Sequence, residues 1–103
     1  MKLFKDKVVL VTGSCGTVGA ELVRQLVASE VANVICIDNN ETELFFQIEQ
    51  YRETGKVACH LADVRDRDAL IMRMRGVDVV LHAAALKHVG LCEDSPGQAV
   101  ATN

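Results

Sequence analysis

The sequence predicts an α/β fold organised on a doubly wound parallel sheet. Three observations carry the expectation. Short runs rich in Val and Ile recur at residues 7–12, 33–38, 56–61 and 78–82, and they are continuous, not alternating, as strands covered on both faces are. Helical patterns of about ten residues separate these runs and give a β-α-β-α-β-α-β series. Glycines at 13, 16 and 19 punctuate the join between the first strand and the first helix. Right-handed crossovers close such a series into a parallel sheet with strand order 3-2-1-4.

Each element has its own local justification. After the strand at 7–12, Val18, Leu22, Val23, Leu26 and Val27 recur at helical spacing and form the stripe that packs on the sheet. The strand at 33–38 is β-branched and ends in Asp38, nineteen positions after Gly19. Asn40 followed by Glu43 reads as a helix cap and its capping-box partner, with Leu44, Phe45, Ile48 and Tyr51 turned inward and Gly55 closing the helix. The strand at 56–61 leads into Ala62-Asp63-Val64-Arg65-Asp66, after which Ala69, Leu70, Ile71 and Met74 mark a short helix stopped by Gly76. The fourth strand, 78–82, runs into Ala83, Ala84 and Ala85. Ser95-Pro96-Gly97-Gln98 opens one more helix, and the chain stops at Asn103. The expected architecture is therefore a sheet truncated after its fourth strand and the start of the following helix. Residues 1–103 are expected to be the N-terminal part of a larger binding domain.

Composition bounds the function. With 103 residues, 50% of them apolar, the chain builds one modest core. A net charge of −3 with scattered Lys and Arg argues against a nucleic-acid or anionic-membrane partner. No apolar run approaches the roughly 20 residues a membrane helix needs, and residues 1–7 do not open a signal peptide, so a cytoplasmic location is expected. Cys15, Cys36, Cys59 and Cys92 form no C-x-x-C pair, so neither a disulfide nor a metal site is expected. Cys36 and Cys59 read as small buried hydrophobes, and Cys15 as a small side chain fitting between glycines, although a helix N-terminus can activate a thiol.

The chemistry concentrates on the carboxyl edge of the sheet. In Gly13-Ser14-Cys15-Gly16-Thr17-Val18-Gly19 the glycines permit close approach, and a helix starting at Thr17 or Val18 presents unpaired N–H groups and a positive dipole end to a pyrophosphate. Asp38 can accept from both adenosine ribose hydroxyls and repels a 2′-phosphate, which favours NAD and leaves NADP as the alternative; Asn39 and Asn40 complete that turn, and the competing reading makes Asp38 only a turn former. Asp63 reads either as an acceptor for the adenine amino group, with Val64 on the ring, or as a local backbone cap, Asp66 being the more obvious helix cap. Ala83, Ala84 and Ala85 are small enough for backbone to lie against a cofactor, or simply to pack closely. Lys87 is either a cation for a phosphate or substrate hydroxyl or a solvated lysine; His88 reads equally as packing or substrate contact, and His60 and His82 as core histidines.

The glycine turn, the Ala62–Asp66 stretch and Ala83-Ala84-Ala85-Leu86-Lys87-His88-Val89 together resemble extended short-chain dehydrogenase/reductases. They are most similar to the polysaccharide-biosynthesis UDP-N-acetylglucosamine 4,6-dehydratases, with Glu93, Pro96, Thr102 and Asn103 continuing the match. The resemblance implies a Rossmann-type domain, bound NAD(P), a nucleotide-sugar substrate for the whole protein, and a redox-neutral elimination of water across C5 and C6 of the sugar. It also implies a catalytic Tyr-x-x-x-Lys pair. The single tyrosine, Tyr51, has Lys56 five positions on, so that pair is not in these residues and the 103-residue chain itself is expected to be inactive. Gly90 replaces a proline usual in the family motif. Homo-oligomerisation is expected through the open edge of the fourth strand. The alternatives are an epimerase or reductase of the same superfamily, or a non-catalytic dinucleotide sensor.

Overall fold

Two central strands carry the fold, and the computed structural model describes residues 2–84. After a 3-10 turn at Lys2–Phe4, the elements run β1 (Val8–Thr12), α1 (Thr17–Val27), β2 (Asn33–Asp38), α2 (Glu41–Tyr51) with a 3-10 extension at Arg52–Thr54, β3 (Val57–Leu61), α3 (Arg67–Arg73) and β4 (Val79–His82). The sheet order is β3-β2-β1-β4, and every pairing is parallel. Leu10 of β1 is in register with Ile35 on one side and Val80 on the other. The predicted order 3-2-1-4 is the observed one.

Alternation along β1 divides the core between the two faces. Val9 and Val11 point to a cluster with Val23 and Leu26 of α1, Val34 and Cys36 of β2 and Tyr51 of α2. Leu10 points the other way, to Ile37 and Leu70 of α3. Val9, Leu10 and Val11 are fully buried, and each such side chain contributes about 1.5–3 kcal/mol of transfer free energy. No buried side-chain nitrogen or oxygen among the described residues lacks a hydrogen-bond partner.

The helix faces required two corrections. On α1, Val23 and Leu26 are buried and Leu22 and Val27 pack on the core, but Val18 is exposed. The first turn of α1 stands over the glycine loop, where Gly19 makes the contact, so Val18 has no sheet beneath it. On α2 the inward stripe is Leu44, Gln47 and Tyr51, whereas Phe45 and Ile48 are exposed. The spacing i, i+3, i+7 is still helical, but the line is rotated by one position, and Phe45 instead meets Phe46 edge to face at 5.7 Å.

Both expected side-chain caps form. Asn40 Oδ1 accepts from Glu43 N–H at 3.1 Å and Asp66 Oδ1 from Ala69 N–H at 3.2 Å, each contributing about 1 kcal/mol. The return bond of a capping box does not form, because the Asn40 N–H goes to Asp38 Oδ1 at 3.0 Å. Among the described residues no helix is long and apolar enough to cross a membrane. Ala85, Lys87, His88, Cys92 and the helix start at 95–98 lie outside the described residues.

Candidate functional site

The carboxyl ends of the four parallel strands bring the candidate residues to one edge. At the end of β1, the N–H groups of Gly13 and Ser14 both donate to the carbonyl of Ile37, at 2.8 and 3.2 Å, which ties the turn to β2. Gly13 has φ of 67°, in the left-handed region that glycine alone adopts freely, and a Cβ there would lie 2.6 Å from both the nitrogen and the Cα of Ala84. The backbone leaving β4 therefore passes directly over the turn. Gly16 is the N-cap of α1, with extended backbone and no capping side chain, and no acidic residue occupies the first turn. That helix end keeps its N–H groups and positive dipole for an anion. The glycine cradle at Gly13 and the uncapped α1 terminus fit a pyrophosphate.

Asp38 is the electrostatic centre of the edge. Only 2% exposed, its carboxylate accepts the Cys15 N–H at Oδ2 and the Asn40 N–H at Oδ1, both at 3.0 Å. It thus joins the glycine turn to the β2–α2 loop, and one lone pair on each oxygen remains for a further donor. Asn39 and Asn40 are exposed beside it.

The Cys15 thiol is not activated by its place near a helix terminus. Burial, then the neighbouring Asp38 charge, pushes it up to about 11. At pH 8 it is protonated, so alkylation of Cys15 by iodoacetamide is expected to run well below the rate of free cysteine. Peptide mass spectrometry over a labelling time course checks this, and a rate matching free cysteine would contradict it. Cys36 and Cys59 are registered partners across β2 and β3, and both are free thiols.

Asp63 and Val64 follow β3, and the Ala62 N–H donates to the Asp38 carbonyl at 3.0 Å, placing this loop beside the β2 end. Arg65 engages the Asp63 carboxylate through its backbone N–H, Nε and a terminal nitrogen, at 2.8, 3.0 and 2.7 Å. These bonds hold the Asp63 carboxyl well below the usual range, at about 2. Val64 is half-buried and packs on the Leu10 cluster. Ala83 is buried, and Ala84 packs closely over Gly13 of the glycine turn. His82 Nδ1 pairs with Thr12 Oγ1 at 3.3 Å.

Gln47 is the residue that sequence reasoning missed. It lies on the inward face of α2, 6% exposed, and bonds Ser14 twice. A polar residue inside the apolar stripe Leu44-Gln47-Tyr51 was the available signal, and it was obscured by the more apolar Phe45 and Ile48 alongside.

The sheet order, the glycine turn under Ala84 and the acidic end of β2 define a Rossmann-type domain of the short-chain dehydrogenase/reductase class. A short-chain dehydrogenase from Mycobacterium smegmatis matches with a TM-score of 0.66 and 30% identity over 78% of this chain and 37% of its own. Pen from Bacillus thuringiensis, solved by X-ray, matches with a TM-score of 0.78 and 33% identity over 96% of this chain and 31% of its own. The chain belongs to the polysaccharide biosynthesis protein family, whose model matches residues 9–103. It is 47% identical over 97% of its length to an uncharacterized membrane protein of Methanocaldococcus jannaschii. It is 34% identical to a UDP-glucose 4-epimerase of Rickettsia massiliae and 33% identical to an inverting UDP-N-acetylglucosamine 4,6-dehydratase of Campylobacter jejuni, each over 98% of this chain. The chain spans 30% of the length of each of these three relatives.

Proposed function

We propose that this chain is the cofactor-binding portion of a nucleotide-sugar 4,6-dehydratase that converts UDP-N-acetylglucosamine to a 4-keto-6-deoxy sugar with NAD held along the carboxyl edge. The observation that carries the reading is the uncapped N-terminus of α1 set against Gly13, where only a backbone without Cβ fits beneath Ala84. The similarity to the Campylobacter jejuni dehydratase supports the reaction class.

In this reading the first-turn N–H groups of α1 hold the pyrophosphate, and Asp38 uses its remaining lone pairs for the adenosine ribose. Asp63 and Val64 border the adenine, and Ala83, Ala84, Ala85 and Lys87 border the phosphates and the path to the substrate. Bound nicotinamide supplies a reversible hydride acceptor, which makes the reaction redox-neutral. The base that starts the reaction belongs to a Tyr-x-x-x-Lys pair outside these 103 residues. The protein acts in the cytoplasm as a homo-oligomer.

The similarity to an epimerase supports a second reading, in which the C6 hydroxyl is retained. Incubating the full-length protein with UDP-N-acetylglucosamine separates the two. The dehydratase reading expects a product lighter by one water, with no net consumption of NAD. A product of unchanged mass with inverted C4 would establish the epimerase instead.

A further inference from the structure

Ser14 and Cys15 are held from two sides. From β2, Asp38 accepts the Cys15 N–H at 3.0 Å. From α2, 33 positions away in sequence, the Gln47 amide closes on Ser14: Nε2 donates to the Ser14 carbonyl and Oε1 accepts the Ser14 hydroxyl, both at 2.8 Å. The amide orientation follows from the carbonyl, which can only accept. The Cys15 thiol adds a third contact, donating to Oε1 at 3.5 Å. Ser14 is fully buried and Gln47 is 6% exposed, so water does not compete for these groups. An apolar side chain would cover the sheet equally well from position 47, but it would leave the Ser14 carbonyl buried without a partner and the Ser14 hydroxyl with only a weak sulfur contact, to Cys15 Sγ at 3.9 Å.

We propose that Gln47 is a positioning residue for the dinucleotide: by gripping Ser14 on both its carbonyl and its hydroxyl, it sets the peptide planes of the turn that aims the α1 terminus at the pyrophosphate. The proposal rests on the cofactor reading above. Gln47 touches no cofactor atom itself; it acts through Ser14, and Asp38 secures the adjoining peptide.

The hydrogen-bond inventory makes the role separable from plain packing. In Gln47→Glu, the ionised carboxylate still accepts the Ser14 hydroxyl but has no proton for the Ser14 carbonyl, whereas the protonated acid has one. Burial favours the protonated form, so lowering the pH is expected to restore that donor. The Cys15 thiol touches position 47 directly, and the titratable groups that act on that thiol are Asp38, Cys59 and Glu43, the last one turn before Gln47 on α2. All are present in the unmodified protein, whose own pH profile is therefore the control.

The experiment measures NAD dissociation constants by titration calorimetry for the full-length protein, Gln47→Leu and Gln47→Glu, between pH 5.5 and 8. At pH 8 both variants are expected to bind about tenfold more weakly than the parent. At pH 5.5 only Gln47→Glu is expected to recover, to within about threefold of the parent. Both variants binding like the parent at pH 8, or a Gln47→Glu loss that persists at pH 5.5, overturns the proposal. If Gln47→Leu does not fold, Gln47→Glu alone carries the test. If the parent protein binds no NAD, the cofactor reading fails, and amide hydrogen exchange over residues 13–16 at pH 8 decides the grip. Faster exchange in Gln47→Glu than in the parent supports it, and equal rates overturn it.

Discussion

Gly19→Ala is expected to lower the unfolding free energy by about 3 kcal/mol, although alanine is the better helix former by about 1 kcal/mol. A Cβ at position 19 would overlap the Gly13 carbonyl oxygen, and it would lie 2.7 Å from the Gly13 carbonyl carbon and 2.9 Å from Ser14 Cα. All three atoms are backbone, so no side chain can swing away. The turn cannot retreat cheaply either, because the Gly13 and Ser14 N–H groups are committed to Ile37 and Gln47 holds the Ser14 carbonyl. α1 must therefore lift from the turn, loosening Val23 and Leu26 on the sheet. Since a native domain holds only about 5–15 kcal/mol in total, the loss should appear as a large fall in the urea midpoint. A midpoint equal to that of the parent would show that the turn and helix separate without strain.

Asp38→Ala is expected to cost about 3–5 kcal/mol, close to the sum of two backbone N–H groups losing a charged acceptor. The Cys15 and Asn40 amides have no other acceptor in the described structure, and Asp38 lies at 2% exposure, where water does not replace the carboxylate readily. Asp38→Asn should fall about halfway between, because the amide oxygen still accepts one N–H while the NH2 group faces the other. Urea denaturation of the parent and both variants gives the order. Equal losses in the two variants would mean that one of the amides contributes nothing. Cofactor affinity is then compared only among variants shown to be folded, which separates the turn-holding role from any contact with ribose.

The strands and the joins between them were legible because their determinants are local. Continuous Val/Ile runs marked β1 and β2 to within a residue, Asn40 and Asp66 signalled the starts of α2 and α3, and the glycine spacing marked the turn. The rotation of α2 was not legible. By apolarity alone Phe45 and Ile48 outrank Gln47, yet the helix turns Gln47 inward because that side chain has two partners waiting on Ser14. Asp38 shows the same limit from the other direction. Its position at the end of β2 was readable, but its two amide partners come from Cys15, 23 positions before it, and from Asn40 in its own loop.

The sequence by itself determined the order of elements, the parallel sheet and the glycine turn that opens α1, since these follow from patterns within a few residues and from the general handedness of βαβ units. Only the tertiary structure decided how that turn is held. Gly13 must lack a Cβ because Ala84, 71 positions later, crosses it, and Gln47 meets the carbonyl and the hydroxyl of Ser14 because that residue is buried against it. Those constraints arise where separate segments exclude water from one another and every polar group left inside has to find its partner there.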